Sequence, residues 1–185
     1  MAQCVCPWWL GYLQASPLRR LMQDPVKVLA PYVRQGMTVL EPGPGMGFFT
    51  LELGRLVGPS GRVVAVDVQP RMLSSLKRRA ARAGLLERVD ARLAAPDNLG
   101  IKDLAGAVDF TMAFAMVHEL PAAKPFFAEV ALASKQGAGL LFAEPTGHVK
   151  PAKFQAELEA AIHAGFKLVE RPTIRRSHAA FLRRA

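Results

Sequence analysis

The sequence predicts an α/β fold in which helices cover a mostly parallel β-sheet. Short apolar runs alternate with segments of helical periodicity along most of the 185 residues, a pattern typical of parallel sheets. A glycine-rich loop separates the first apolar run from the next helical segment, and two apolar runs at the end of the chain predict an antiparallel hairpin. A hydrophobic content of 51% is sufficient for a packed core in a chain of this length.

The first strand is predicted at residues 37–40 and leads into the glycine-rich loop. The loop contains, in order, Glu41, Gly43, Pro44, Gly45 and Gly47. Glycines allow the backbone to approach a nucleotide-like ligand closely and to adopt positive φ angles. Pro44 lacks an N–H group that would bind a pyrophosphate, and Glu41 would repel a diphosphate. The loop therefore favours a ligand that carries an ammonium group.

The second strand is predicted at residues 62–66 and ends at Asp67. An acidic residue roughly 20 residues beyond the glycines is placed to bind the two hydroxyls of a ribose. Nicotinamide-dinucleotide sites also have an acid at this place. Asp67 therefore indicates an adenosine-containing ligand without identifying the rest of it.

Periodicity and turn residues predict the remaining elements. Helices are expected at 48–57, 71–83, 125–134 and 151–164, with a short helix ending at Leu104. Further strands are expected at 88–93, 108–117 and 140–143, with a turn at 136–139 and the final hairpin strands at 166–170 and 174–181. Residues 17–32 read as helical, and Pro25 restarts the helix after Asp24.

The pattern Glu41-x-Gly43-x-Gly45-x-Gly47 after a strand resembles the first motif of the class I S-adenosylmethionine-dependent methyltransferases, and the chain looks like their compact, small-molecule type. The resemblance implies a Rossmann-like, doubly wound seven-stranded sheet, mostly parallel with an antiparallel last strand. It implies S-adenosyl-L-methionine as cofactor and S-adenosyl-L-homocysteine as product. Residues 36–185 would form the methyltransferase domain and residues 1–35 a helical cap or lid, in a single globular domain overall.

The resemblance also implies a set of cofactor-binding residues. They are Glu41, Gly43, Pro44, Gly45, Gly47, Asp67, Val68, Gln69, Asp97, Asn98 and Phe114. Asp67 would bind the ribose, Val68 and Gln69 would flank the adenine, and Glu41 would lie near the methionine end. The family's acid for the adenine amino group falls on Ala95, so Asp97 or Asn98 would replace it. Asp97 is equally suited to be a helix N-cap, which is the preferred interpretation.

The predicted fourth strand, 108–117, is an almost unbroken apolar run and delivers His118 at its carboxyl end, where ligands sit in open α/β sheets. The resemblance adds that this end faces the transferred methyl group, so His118 is predicted to be a general base or a residue that positions the substrate. The alternative is a histidine that hydrogen-bonds to the backbone and caps the loop. Glu119 could orient the imidazole, and Glu119, Glu144 and His148 are predicted to contact the substrate.

The N-terminal segment contains Trp8 and Trp9, which are costly to leave in water. They are predicted either to form a lid that contacts the substrate or to pack against the domain edge. Cys4 and Cys6 have no companion cysteine or histidine cluster, so no metal site is predicted. With two cysteines, no signal-peptide pattern and no apolar run of ~20 residues, a cytoplasmic location is expected.

The net charge of +9 favours anionic partners. The charge is dispersed, and its densest cluster, Lys77, Arg78, Arg79 and Arg82, lies on the expected outer face of a surface helix. A small-molecule methyl acceptor is therefore the leading hypothesis. An RNA or protein acceptor is the first alternative, and a non-catalytic or NAD-binding protein is the second. No pattern in the sequence predicts an oligomeric state.

Overall fold

The computed structural model describes residues 23–95 and 97–185 of the chain. The strands are β1 Thr38–Pro42, β2 Arg62–Asp67, β3 Val89–Leu93, β4 Val108–Phe114, β5 Ser134–Pro145, β6 Phe166–Glu170 and β7 Ser177–Arg184. The helices are α1 Pro25–Leu29, α2 Thr50–Leu56, α3 Pro70–Arg82, α4 Ala123–Ala133 and α5 Pro151–His163. Short 3-10 turns lie at Leu86–Arg88, Lys102–Leu104 and Val117–Glu119.

The seven strands form a mixed sheet in the order β3-β2-β1-β4-β5-β7-β6. β7 runs antiparallel to both of its neighbours, β5 and β6. This arrangement confirms the predicted seven-stranded α/β fold with an antiparallel last strand. The described residues divide into two compact units, 23–95 and 97–185, which are taken in turn.

In the unit 23–95, three parallel strands carry α3 on one surface. Leu73, Leu76 and Ala80 of the helix pack with Ala65 of β2 and Val89 of β3. These helix positions recur at the spacing of one helical face, which is why the sequence folds this segment as an amphipathic helix. The predicted apolar face of α3 is thus confirmed, and Lys77, Arg78 and Arg82 are exposed as predicted. Arg79 is the exception in the predicted outer cluster, because it is half-buried and its Nη1 donates to the carbonyl of Met46 at 2.5 Å.

In the unit 97–185, aromatic side chains of α4, β5 and α5 pack together. Phe127 meets Phe142 of β5 edge to face, and Phe142 stacks on Phe154 of α5. Aromatic pairs of this kind contribute beyond the area they bury. They fix α5 against the strand whose end carries Glu144.

The strands predicted at 108–117 and 174–181 have different bounds in the structure. β4 ends at Phe114 because Ala115 adopts a left-handed backbone with φ 55°, which directs the chain into the Val117–Glu119 turn. The predicted final strand 174–181 begins instead at Ser177 and continues to Arg184. The antiparallel hairpin itself is confirmed.

The turn predicted at residues 136–139 lies inside β5. Val108 of β4 pairs with Ser134, and Phe110 pairs with Gly139. The intervening residues of β5 therefore form a bulge, in which Gly137 takes a φ of 75°. A bulge accommodates extra residues without ending the strand, so the glycine signal was real but its interpretation as a turn was wrong.

A short helix ends at Leu104 as predicted, but the prediction that it begins after Asp97 is wrong. Only Lys102–Leu104 is helical there, and its N-cap is Ile101 with no side-chain hydrogen bond. The carboxylate of Asp97 instead accepts a hydrogen bond from Asn98 Nδ2 at 3.0 Å. Asp97 is therefore not an N-cap.

Of the predicted N-terminal helical segment, the described part begins at residue 23. Asp24 Oδ1 accepts hydrogen bonds from the N–H groups of Val26 and Lys27, so the predicted restart of the helix at Pro25 is confirmed. Trp8, Trp9, Cys4 and Cys6 lie outside the described residues, and the role of residues 1–35 as a lid stays a prediction. No helix within 23–95 or 97–185 combines the length and apolar character needed to cross a bilayer.

Candidate functional site

The glycine loop between β1 and α2 adopts backbone conformations that only glycine takes easily. The φ angles of Gly43, Gly45 and Gly47 are 67°, 55° and 84°. The N–H of Gly43 donates to the carbonyl of Val66 in β2 at 2.9 Å, which joins the loop to the end of the neighbouring strand. The prediction that these glycines need positive φ is confirmed.

Two of these glycines serve different purposes. A Cβ added at Gly45 would meet no atom within 4 Å, so the backbone there borders open space. A Cβ added at Gly47 would overlap Cδ1 of Leu76 on α3. Gly47 is therefore required by helix packing, whereas Gly45 leaves room for a ligand to approach the main chain.

Asp67 ends β2 as the sequence predicts, and its side chain is buried. The carboxylate accepts a hydrogen bond from the N–H of Gln69 at 2.8 Å. Burial raises the pKa of Asp67, and hydrogen bonds from the backbone N–H groups of Gln69, Gly45 and Val68 oppose the rise. The carboxylate is thus held against the glycine loop, with Val68 exposed and Gln69 partly buried beside it.

Glu41, at the end of β1, is more deeply buried, with 4% of its surface exposed. Burial raises the pKa of its carboxyl to about 7; the Thr50 hydroxyl lowers the pKa, and the charge of Asp67 raises it further. Within the described part of the chain, Glu41 Oε2 and Thr50 Oγ1 have no partner that meets hydrogen-bond geometry. Buried polar atoms are normally paired, so an acceptor without a partner at a glycine loop indicates a place for a ligand donor.

These observations fit the cofactor that the resemblance implies. An ammonium group would supply the donor that Glu41 Oε2 lacks, and ribose hydroxyls would donate to Asp67. Gly45 leaves the main chain open to the ligand. Two carboxylates beside the loop disfavour a diphosphate in the same place.

The second group of predicted residues lies in the unit 97–185. Glu144 of β5 is 0% exposed, and its Oε1 accepts a hydrogen bond from the N–H of Val117 at 2.8 Å. Its Oε2 forms a very short contact with Nδ1 of His118, whose side chain is 18% exposed. The structure therefore brings His118 and Glu144 together, although 25 residues separate them in the sequence.

The hydrogen bond to Glu144 raises the pKa of His118, and burial opposes this effect. The negative charges of Glu144 and Glu119 raise the pKa further, whereas Lys153 lowers it. The suggestion that Glu119 orients the imidazole is wrong in one respect: the carboxylate on Nδ1 belongs to Glu144. Glu119 acts on the ring through its charge.

Helix α5 adds two residues that the sequence analysis missed. Lys153 Nζ donates to the backbone carbonyl of His118 at 3.2 Å and lies 3.8 Å from Glu157 Oε1. Burial and the charge of Glu144 raise the pKa of Glu157 to about 7, against the effects of Lys153 and His118. A glutamate three residues after buried Phe154, on the same helix face, was the sequence signal that could have revealed this buried acid.

The other predicted site residues are placed as follows. The ring of His148 is parallel to that of His118, with 6.2 Å between centroids and 5° between planes. Phe114 is the last residue of β4 and pairs with Ala143. Asp97 and Asn98 are exposed and contact each other. Among residues 23–95 and 97–185, no three His, Cys, Asp or Glu side chains are arranged to hold a metal ion.

The sequence matches the family model described as "Methyltransferase domain" over residues 39–137, more than half of the chain. A solved structure of an S-adenosylmethionine-dependent methyltransferase from Aquifex aeolicus superimposes with a TM-score of 0.87, over 98% of this chain and 100% of that one. Its sequence identity of 23% makes it a likeness of fold.

Two curated proteins share shorter segments with the chain. The tRNA (adenine(57)-N(1)/adenine(58)-N(1))-methyltransferase of Methanocaldococcus jannaschii is 32% identical over 56 residues, 30% of this chain and 20% of that protein. The protein-L-isoaspartate O-methyltransferase of Methanothrix thermoacetophila is 41% identical over 51 residues, 28% of this chain and 24% of that protein. The shared segments thus span less than a quarter of each relative's length.

Proposed function

The chain belongs to the methyltransferase-domain family, whose cofactor is S-adenosyl-L-methionine, and we propose that it methylates a small molecule whose attacking atom arrives protonated. The observation that carries the proposal is the pairing of His118 with the buried carboxylate of Glu144. A methyltransferase needs a base only when its acceptor must lose a proton, as a hydroxyl or an acidic carbon must.

On the donor side, Asp67 would bind the ribose hydroxyls and Glu41 the ammonium group of the cofactor. Bound there, S-adenosyl-L-methionine supplies a sulfonium methyl that is already activated for transfer. The residues of the chain need only bind, orient and exclude water. Correct orientation can lower the barrier by several kcal/mol. The positive φ of Gly45, with open space beside it, supports this role for the loop.

On the acceptor side, His118 would remove the proton from the attacking atom. A well-placed general base contributes about 10²–10⁴-fold to the rate. Because the charge of Glu144 raises the pKa of His118, the neutral, proton-accepting form increases as the pH rises above the ordinary histidine range. The proposed reaction therefore accelerates toward mildly alkaline pH. His148, whose ring is parallel to that of His118, is proposed to contact the acceptor.

An RNA acceptor is the second candidate. Lys77, Arg78 and Arg82 on α3 are exposed, and the shared segment with a tRNA methyltransferase supports this possibility. Phosphate contacts of this kind make binding fall steeply with salt. A protein acceptor is supported by the shorter match to the isoaspartate enzyme. Neither match supports the NAD-binding alternative.

The test is incubation of the full chain with radiolabelled S-adenosyl-L-methionine and a cell extract separated into RNA, protein and small molecules. Label in the small-molecule fraction supports the proposal. Label in RNA that falls with salt, and that is lost on combining K77E, R78E and R82E, would establish the second candidate instead. Titration calorimetry with S-adenosyl-L-homocysteine and NAD tests the cofactor: heat with NAD alone would overturn the proposal.

A further inference from the structure

We infer that Glu144 is a positioning residue, which holds the His118 ring with its hydrogen on Nδ1 so that Nε2 is the atom that accepts the proton. The inference rests on the proposed function and deepens it. It replaces the expectation that Glu144 contacts the substrate, because a side chain with no exposed surface cannot touch an acceptor from solution.

The hydrogen-bond chemistry of Glu144 determines the tautomer. An ionised carboxylate only accepts hydrogen bonds, so each partner of Glu144 must donate. The partner of Oε1 is the N–H of Val117, and the partner of Oε2 is Nδ1 of His118. In a neutral imidazole with hydrogen on Nδ1, the lone pair is on Nε2. No described residue forms a hydrogen bond with that nitrogen, and the ring is partly exposed.

The turn that carries the ring is fastened from two elements. From β5, Glu144 holds both the backbone of Val117 and the ring of His118. From α5, Lys153 donates to the carbonyl of His118 at 3.2 Å. Three attachments over two consecutive residues fix the ring before an acceptor arrives, which is the condition for efficient proton transfer.

The proton balance of the step is simple. The acceptor's O–H or C–H bond breaks, and its proton goes to Nε2. The freed electron pair forms the bond to the methyl carbon, while the pair of the broken carbon–sulfur bond remains on sulfur. The resulting imidazolium faces the carboxylate of Glu144, which stabilises its charge, and it returns the proton to water after the product leaves.

Glutamine at position 144 provides a sharp test. An amide has one accepting oxygen and one donating nitrogen, whereas Glu144 serves two donors. In E144Q, either the amide donates to Nδ1, which moves the ring hydrogen to Nε2, or the hydrogen bond to Val117 is lost. The first outcome removes the base, and the second loosens its turn. The matched control is E159Q, which removes an exposed carboxylate from the same unit, outside the site.

The tautomer can be read by nitrogen-15 NMR of the full chain labelled in histidine and valine, with His118 assigned from H118Q. In the wild type and in E159Q, we expect a protonated Nδ1 and an unprotonated Nε2 at a pH above the pKa of the ring. In E144Q, we expect a protonated Nε2 or a mixture of tautomers. A wild-type ring with its hydrogen on Nε2 overturns the inference, and so does an E144Q chain in which both the tautomer of His118 and the amide signal of Val117 are unchanged.

Kinetics supply the second readout. E144Q is expected to lower kcat by about 10²-fold, within the range attributable to a general base, with little change in the KM for the acceptor. The acidic limb of its pH profile should move to lower pH, because the carboxylate that raises the pKa of His118 is gone. A chain that shows the expected tautomer but transfers no methyl group contradicts the proposed function and leaves the tautomer assignment in place.

Discussion

The hydroxyl of Thr50 lowers the pKa of the buried carboxyl of Glu41. Among residues 23–95 and 97–185, neither Glu41 Oε2 nor Thr50 Oγ1 has a partner that meets hydrogen-bond geometry. The charge of Asp67 adds to the burial that raises the pKa of Glu41 to about 7. Burial therefore disfavours the ionised form of Glu41 in the free protein. A bound cation would favour the ionised form.

The first consequence concerns donor binding. Because an ammonium group requires ionised Glu41, the affinity for S-adenosyl-L-homocysteine should rise up to tenfold per pH unit below pH 7 and level off above it. Calorimetry at pH 6 in two buffers with different ionisation enthalpies should show that binding releases a proton. E41Q should bind weakly with no such pH dependence. If the affinity of the wild type did not change between pH 5.5 and pH 8, this role for Glu41 would be contradicted.

The second consequence concerns stability without ligand. The pKa of Glu41 in the folded protein, about 7, lies above the ordinary glutamate value of 4.5, so its contribution to stability is complete below pH 4.5 and is lost as the pH rises through 7. The loss amounts to up to about 3 kcal/mol. E41Q has no carboxyl at this position to ionise. Its free energy of unfolding, measured relative to that of the wild type, should therefore increase from pH 5 to pH 8. Urea unfolding at the two pH values measures the difference, and Glu157, present in both proteins, cancels from it.

Substitutions at Gly45 and Gly47 should affect different properties, ligand binding in the first case and folding stability in the second. G47A should destabilise the chain by about 2–4 kcal/mol, since a left-handed alanine and an overlap with Leu76 act together. G45A should destabilise the chain by about 1 kcal/mol, from backbone strain alone. It should nevertheless abolish measurable binding of S-adenosyl-L-homocysteine, because the added methyl group occupies the space beside the main chain. Gly84, also at positive φ with open space around it, is the control: G84A should lose similar stability and keep its affinity. Equal affinity in G45A and G84A would show that no ligand lies beside Gly45.

Substitution of Asp67 should weaken cofactor binding, whereas substitution of His118 should slow methyl transfer. D67A should weaken binding of S-adenosyl-L-homocysteine by at least about 100-fold, because it removes the acceptor of two hydroxyl groups. H118A should leave that binding unchanged and slow methyl transfer by about 10²–10⁴-fold. Calorimetry and single-turnover assays measure the two effects. Full turnover in H118A would remove the histidine from the mechanism.

Much of the unit 23–95 could be predicted because its signals are local. Apolar runs set β1 and β2, and the acids that end them, Glu41 and Asp67, follow directly in the sequence. The helical spacing of Leu73, Leu76 and Ala80 identified the buried face of α3. Each signal lies within one turn or strand of the element that it specifies.

The site in the unit 97–185 depends on contacts between distant segments. The pairing of Glu144 with His118 arises from the ends of two strands, and no spacing rule relates the two residues. An unbroken apolar run gave no sign that β4 would stop at Phe114, because a single left-handed residue does not alter hydropathy. Lys153 looked like an ordinary surface residue of α5, since its contact with His118 exists only after the helix packs.

The left-handed backbone at Ala115 also bears on engineering of the acceptor side. Glycine and asparagine adopt this conformation readily, whereas alanine is strained there. A foreign loop grafted over residues 116–119 to change substrate preference should keep Ala115, or replace it with glycine or asparagine, so that the chain leaves β4 in the same direction. A graft that begins with a β-branched residue at that position would send the imported loop elsewhere.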